Sequence, residues 1–162
     1  MRIRTLVTGL GLAAGLAVPA GVSTPAHAAT AATACTVELS SIYAGNVDEK
    51  DGRDELRFRV DGNLFPRINS KYSTMTAGDT DYASDFEDPT TIVDPTHSAS
   101  FNLREVTPPA AGSGTSLGSA TADWSDCSTL NVGEWDDLPS QSISGTDETY
   151  YDYRVVLRVT GI

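Results

Sequence analysis

The chain is poor in positive charge. Its 162 residues include 11 lysines and arginines against 22 aspartates and glutamates, a formal net charge of −11. Polyanionic partners are therefore disfavoured: nucleic acid and anionic membrane would both be repelled. Histidine and cysteine are also scarce, with His27 and His97, Cys35 and Cys127. Two thiols and the one histidine beyond residue 28 cannot complete a zinc tetrahedron. After residue 28 no apolar run approaches the roughly 20 residues that a spanning helix needs. No later window shows a 3.6-residue apolar stripe either, which argues against a helical fold.

What is present begins with a targeting segment. Arg2 and Arg4 form a short basic region, and residues 6–18 are rich in Leu, Ala and Gly. Pro19 and Pro25 break any helix, and Ala26-His27-Ala28 carries the small-x-small cleavage signature of a signal peptide. Residues 1–28 are thus expected to be removed, leaving a secreted protein that is more acidic still. Residues 29–34, Ala29, Thr30, Ala31, Ala32, Thr33 and Ala34, offer no large apolar anchor. They read as a flexible N-terminal arm that could join a partner's sheet edge through main-chain hydrogen bonds.

Residues 35–162 form one domain. In an exported chain, Cys35 and Cys127 pair most simply with each other, closing a loop of 92 residues. Chain-entropy arithmetic assigns such a bond at most about 4–5 kcal/mol.

Short alternating segments recur through the domain. Residues 35–44 place Val37, Leu39 and Tyr43 on one face. Leu56, Phe58 and Val60 alternate with Glu55, Arg57 and Arg59, a half-buried strand with a charged outer face. Asp61-Gly62 is a hairpin-turn dipeptide, and Pro66 limits the returning strand to an edge or a bend. Weaker strands are expected through Ile68 and Tyr72, at 82–86 and at 90–94. Ala99, Phe101 and Leu103 alternate, and Ala120, Ala122 and Trp124 lead to Cys127. Between them residues 108–114 read as a loop. At the C-terminal end Tyr151, Tyr153, Val155, Leu157 and Val159 share one face. Short strands with Gly, Asp and Pro turns predict an all-β fold: a single antiparallel, Greek-key-like β-sandwich with one disulfide. The expected core includes Val37, Leu39, Leu56, Phe58, Val60, Phe101, Leu103, Trp124, Val155 and Leu157.

Between the first two strands lies an acidic loop, residues 48–55, in which Asp48, Asp51, Asp54 and Glu55 are the densest set of carboxylates. Calcium gathers six to eight oxygens, so it is the cation this loop would take. The spacing does not fit the helix-loop-helix calcium pattern. Asp48, Gly52 and Asp54 ahead of an alternating strand resemble instead the first calcium loop of calcium-dependent lipid-binding β-sandwich modules of the synaptotagmin and protein-kinase-C type. Glu105 and Leu117-Gly118 are similar to part of a later loop of those modules. Gly52 stands one place from its usual position, and residues 105–118 lack the two or three further aspartates of that loop. The resemblance implies calcium binding at the acidic loop. It does not extend to lipid.

Overall appearance supplies a second resemblance. The leader, the short Ala/Thr arm, the single disulfide and the Asp-Glu-Leu-x-Phe-x-Val-Asp-Gly strand-turn resemble small exported actinobacterial β-sandwich proteins. These include adaptor subunits of umbrella-shaped antibacterial toxin particles. The resemblance implies a structural or adaptor role with another secreted protein as partner.

Catalytic patterns are thin. His97 sits in the expected loop Asp94-Pro95-Thr96-His97-Ser98, and no Gly-x-Ser-x-Gly nucleophile elbow is expected to serve it. Carboxylate groupings occur at Asp85/Glu87/Asp88 and Glu134/Asp136/Asp137. Glycoside hydrolysis would also demand a deep cleft, for which a domain of this size has little material. The expectation is a protein without enzymatic activity or cofactor, calcium apart, that works through protein–protein contact. A secreted protease inhibitor acting through an exposed segment at 108–118 is the remaining alternative.

Overall fold

The computed structural model describes residues 29–108 and 112–162; the expected signal peptide lies outside the described residues. Among the described residues, eleven strands form two antiparallel sheets packed face to face: β1 (Cys35–Asn46), β2 (Asp54–Val60), β3 (Asn63–Phe65), β4 (Ser73–Met75), β5 (Thr80–Tyr82), β6 (Thr90–Val93), β7 (Ala99–Glu105), β8 (Thr115–Ala122), β9 (Trp135–Asp137), β10 (Gln141–Thr146) and β11 (Tyr150–Gly161). The first sheet runs β10-β11-β1-β5, with β6 also on β1 and β9 also on β11. The second runs β3-β2-β7-β8, with β4 also on β2. The last strand returns to lie beside the first, a long-range connection of Greek-key kind. Among the described residues no helix is long and apolar enough to cross a membrane.

Alternation places the core. Val37, Leu39, Leu56, Phe58, Val60, Phe101, Leu103, Val155 and Leu157 are all buried between the sheets, while Trp124 packs against this cluster only partly buried. Trp124 opens a 3-10 turn (Trp124–Asp126) rather than extending β8. Phe86 enters the core from another 3-10 turn (Ala83–Phe86) where a strand was expected, and meets Phe58 edge-on at 5.0 Å. Tyr151, Tyr153, Val155, Leu157 and Val159 all face inward, as their alternation predicts. Asp61 and Gly62 both adopt positive φ, 48° and 82°, as a two-residue hairpin between β2 and β3 requires. A cis Phe65-Pro66 bond follows β3, which is an edge strand.

Three local expectations are corrected. A register shift in β1 between Leu39 and Ser41 turns Ile42 and Ala44 inward and Tyr43 outward, so Tyr43 does not share the face of Val37 and Leu39. Ile68 lies outside any strand and is exposed. Arg57, read as a member of the charged outer face, is completely buried. Its guanidinium donates to the carbonyl of Pro66 and, at 3.2 Å, to that of Gly112. Segments folded over the outside of β2 thus cover a position that alternation alone marks as exposed.

Side chains tie the two sheets together. Gln141 of β10 mimics a strand partner for β8, accepting from Thr121 N at 2.9 Å and donating to Thr121 O at 2.8 Å. The Tyr151 hydroxyl donates to Leu117 O at 2.9 Å. The Cys35–Cys127 disulfide joins the start of β1 to the connection after β8, a sequence separation of 92. It is consistent with an extracellular location.

Candidate functional site

Two regions emerge: the acidic end of the sandwich, and the outer face of the first sheet. At the acidic end, the β1–β2 loop meets the β10–β11 hairpin and the end of β7. Asp48 is buried, and its Oδ1 accepts from the amides of Asp147, Glu148 and Thr149, each at 3.1 Å. The Thr149 hydroxyl returns a bond to Asp48 O at 2.6 Å. Asp54 is wholly buried, and its carboxylate accepts from the amides of Asp48 at 2.9 Å and Glu49 at 2.8 Å and from the Tyr153 hydroxyl. Both aspartates serve as acceptors for backbone that no strand partner satisfies. Asp51 closes an exposed turn through Arg53 N at 3.0 Å.

The four aspartate and glutamate positions expected to hold a cation are therefore not brought together as one ligand set. Glu55 joins two carboxylates outside that set. Oxygens of Glu49, Glu55 and Glu105 all lie within 4.8 Å of one another. Glu55 and Glu49 are half-buried, whereas Glu105, at the end of β7, is only 9% exposed. Its carboxyl is pushed up to about 7, mainly by desolvation, then by a hydrogen bond with the Glu49 side chain and by the charges of Glu49, Asp54 and Asp48. The Glu55 carboxyl is raised too, by burial and then by Glu49, Asp51 and Asp54. Glu49 escaped sequence reading because it is one acidic residue among several; only its place opposite Glu105 distinguishes it.

The N-terminal segment is not a free arm. Thr30 O accepts from Val132 N at 2.8 Å, Ala32 N donates to Leu130 O at 3.0 Å, and Thr33 N and Ala34 N both donate to Ile162 O. Ile162 N donates to Ala34 O at 2.8 Å, and Ala32 is buried. The small side chains expected to suit a partner's sheet edge instead let this backbone lie against its own chain.

The outer face of the first sheet is different in character. Register places Tyr43 of β1, Tyr82 of β5, Ile92 of β6 and Trp135 of β9 on the side away from the core. Trp135 and Tyr82 are each 58% exposed and Ile92 51%. Arg158 lies over the Trp135 ring at 4.2 Å and holds Asp137 through two bonds of 2.9 Å; Arg154 lies over Tyr43 at 6.0 Å. A groove of about 480 Å³ runs between Tyr82 and Arg158, with Glu38, Ser40 and Asp88 on its walls.

The remaining expected groups are scattered. His97 Nε2 stands 3.7 Å from Asp61 Oδ1, both exposed. The letters Gly-x-Ser-x-Gly do occur, contrary to expectation, at Gly114-Thr115-Ser116-Leu117-Gly118. Ser116, however, lies within β8, not at a strand-to-helix turn, and its hydroxyl accepts from Asn102 at 2.6 Å. Glu87 is taken up by Lys71 and the Arg67 amide, Asp85 by the Tyr82 amide, and Glu134 by Asn131. Of the expected loop at 108–118, residues 112–114 are clasped by Arg57 and Arg104, and residues 115–118 belong to β8. No protein family and no curated protein matches this chain when it is compared with them.

Proposed function

We propose that the protein is a secreted, non-enzymatic interaction module, an adaptor or structural subunit of an extracellular complex, and that it docks through the outer face of its first sheet. One observation carries this reading: Trp135, Tyr82, Ile92 and Tyr43 are exposed together on that face, interleaved with Arg154 and Arg158. Trp, Tyr and Arg are the residues that dominate protein–protein binding energies, because they combine large apolar area with a polar handle. The edge strands β5 and β6, of three and four residues, leave main-chain groups beside the same face. The Ala26-His27-Ala28 leader signature and the disulfide support secretion. The adaptor role extends the likeness to small exported subunits of toxin particles.

The test is a photo-crosslinker placed at Trp135 and, separately, at Ser100 on the second sheet, in protein secreted by its native host. Docking through the first sheet gives one stoichiometric crosslinked partner from position 135 and none from 100. A Trp135→Ser/Ile92→Ser variant loses that partner while keeping its melting temperature. Equal crosslinking from both positions, or none from 135, overturns the reading.

A further inference from the structure

The acidic end gathers more carboxylates than its hydrogen-bond donors serve among the described residues. Asp48 and Asp54 are served by donors, five backbone amides and a tyrosine hydroxyl between them. Glu105 is not. Although more than nine-tenths buried, its Oε1 has no hydrogen-bond partner among the described residues, and its carboxylate is aimed at those of Glu49 and Glu55. A buried carboxylate oxygen without a donor is destabilising, so its persistence calls for a compensating positive charge. The charged groups that bear on Glu105 and Glu55 are Glu49, Asp48, Asp51, Asp54 and Arg53. Arg53 is the one cation in that set, and it acts on Glu55.

We propose that Glu49, Glu55 and Glu105 form a divalent-cation site and that its ion is calcium. Two oxygens bound to one calcium at about 2.4 Å can lie no more than about 4.8 Å apart, the limit within which all three carboxylates fall. Only oxygen donors are offered, which favours a hard cation over zinc or copper. Three carboxylates supply three to six ligands, leaving the rest of a coordination shell of six to eight to water. Magnesium, which demands near-ideal octahedral geometry and sheds water reluctantly, suits a set drawn from two strands and a loop less well.

The three backbones are already held in place. Glu49 N is bound to Asp54 at 2.8 Å, Glu55 O accepts from Val106 N at 2.8 Å, and Glu105 pairs with Leu56 and with Thr115 in the second sheet. Gly114 packs so closely that an added Cβ would stand 2.0 Å from Glu105 O, at a φ of 60° that also favours glycine. The aspartates thus fix the loop, and the glutamates are left to bind.

Calcium titration of chelator-treated secreted protein, in about 0.15 M salt, tests this by calorimetry and thermal melting. Extracellular modules bind calcium at about 0.1–1 mM, so about 10 mM calcium should raise the melting temperature by about 5 °C, and magnesium by less. Glu105→Gln should abolish the calcium-dependent rise, while Glu148→Gln, at an exposed acidic position, should keep it. If Glu105→Gln fails to fold, Glu49→Gln decides, with an expected loss of at least tenfold in affinity. No rise in the wild type up to about 10 mM calcium, or an undiminished rise in the Glu105 or Glu49 variant, overturns the site.

Discussion

The Tyr153 hydroxyl donates its hydrogen bond to Oδ2 of Asp54 across a sequence separation of 99 residues, joining the last strand of the first sheet to the first strand of the second. Burial, followed by this bond and the charge of Asp54, pushes the Tyr153 phenol up, so it remains a donor at neutral pH. Tyr153→Phe leaves Asp54 with its two amide donors but removes the hydroxyl. The expected loss is about 1–3 kcal/mol, as for a bond to a charged acceptor, read from urea unfolding. An unchanged midpoint would show that the bond is not made in solution.

Asp48→Ala strips an acceptor from three amides of the β10–β11 hairpin at once. Stability should fall by about 2–4 kcal/mol, with hydrogen exchange accelerating at Asp147, Glu148 and Thr149 ahead of the strands. Asp48→Asn keeps one acceptor oxygen and should recover part of the loss. For this reason aspartate variants of the loop would report on folding, whereas the glutamate variants report on cation binding.

Removing residues 29–33 deletes the bonds of Thr30, Ala32 and Thr33 and the packing of Ala32 against the C-terminal end. We expect a loss of about 1–3 kcal/mol, a drop of several degrees in melting temperature, with crosslinking from Trp135 intact. A truncation that melts like the full domain but loses its partner would restore the arm as the docking element.

In calcium-free buffer the pH dependence has a definite sign. Glu105 titrates at about 7 in the folded protein against an ordinary 4.5, so the folded state binds the extra proton. Its favourable contribution is complete below about 4.5 and is lost as pH rises through about 7. Asp79, Glu87, Asp94 and Asp137 are lowered by hydrogen bonds and act oppositely, their stabilisation fading as pH falls through the acid range. Subtracting the Glu105→Gln profile from the wild type isolates the first effect. A flat difference between pH 4.5 and 7 would contradict it.

Much of the architecture is legible because alternation is local. Leu56, Phe58 and Val60, or Tyr153, Val155 and Leu157, announce a half-buried strand whatever lies opposite, and Asp61-Gly62 announces its own turn. Misreadings arise where a distant segment intervenes. The shift after Leu39 exchanges Tyr43 for Ile42, the covering of β2 buries Arg57, and the pairing with Leu130 and Ile162 holds the arm. At the acidic end, counting carboxylates marks residues 48–55 as a whole, yet what folds against them sets Asp48 and Asp54, which accept backbone amides, apart from Glu49 and Glu55, which face Glu105.

Composition and patterning alone determined an acidic all-β domain with a paired Cys35 and Cys127. They could do so because charge, side-chain period and turn chemistry are properties of neighbours in the chain. Which carboxylates accept backbone hydrogen bonds, which one is left buried beside two others, and which aromatics share an open face were decided only by the tertiary structure. Each depends on register between strands far apart in sequence, and a shift of one residue would turn every such side chain to the other face.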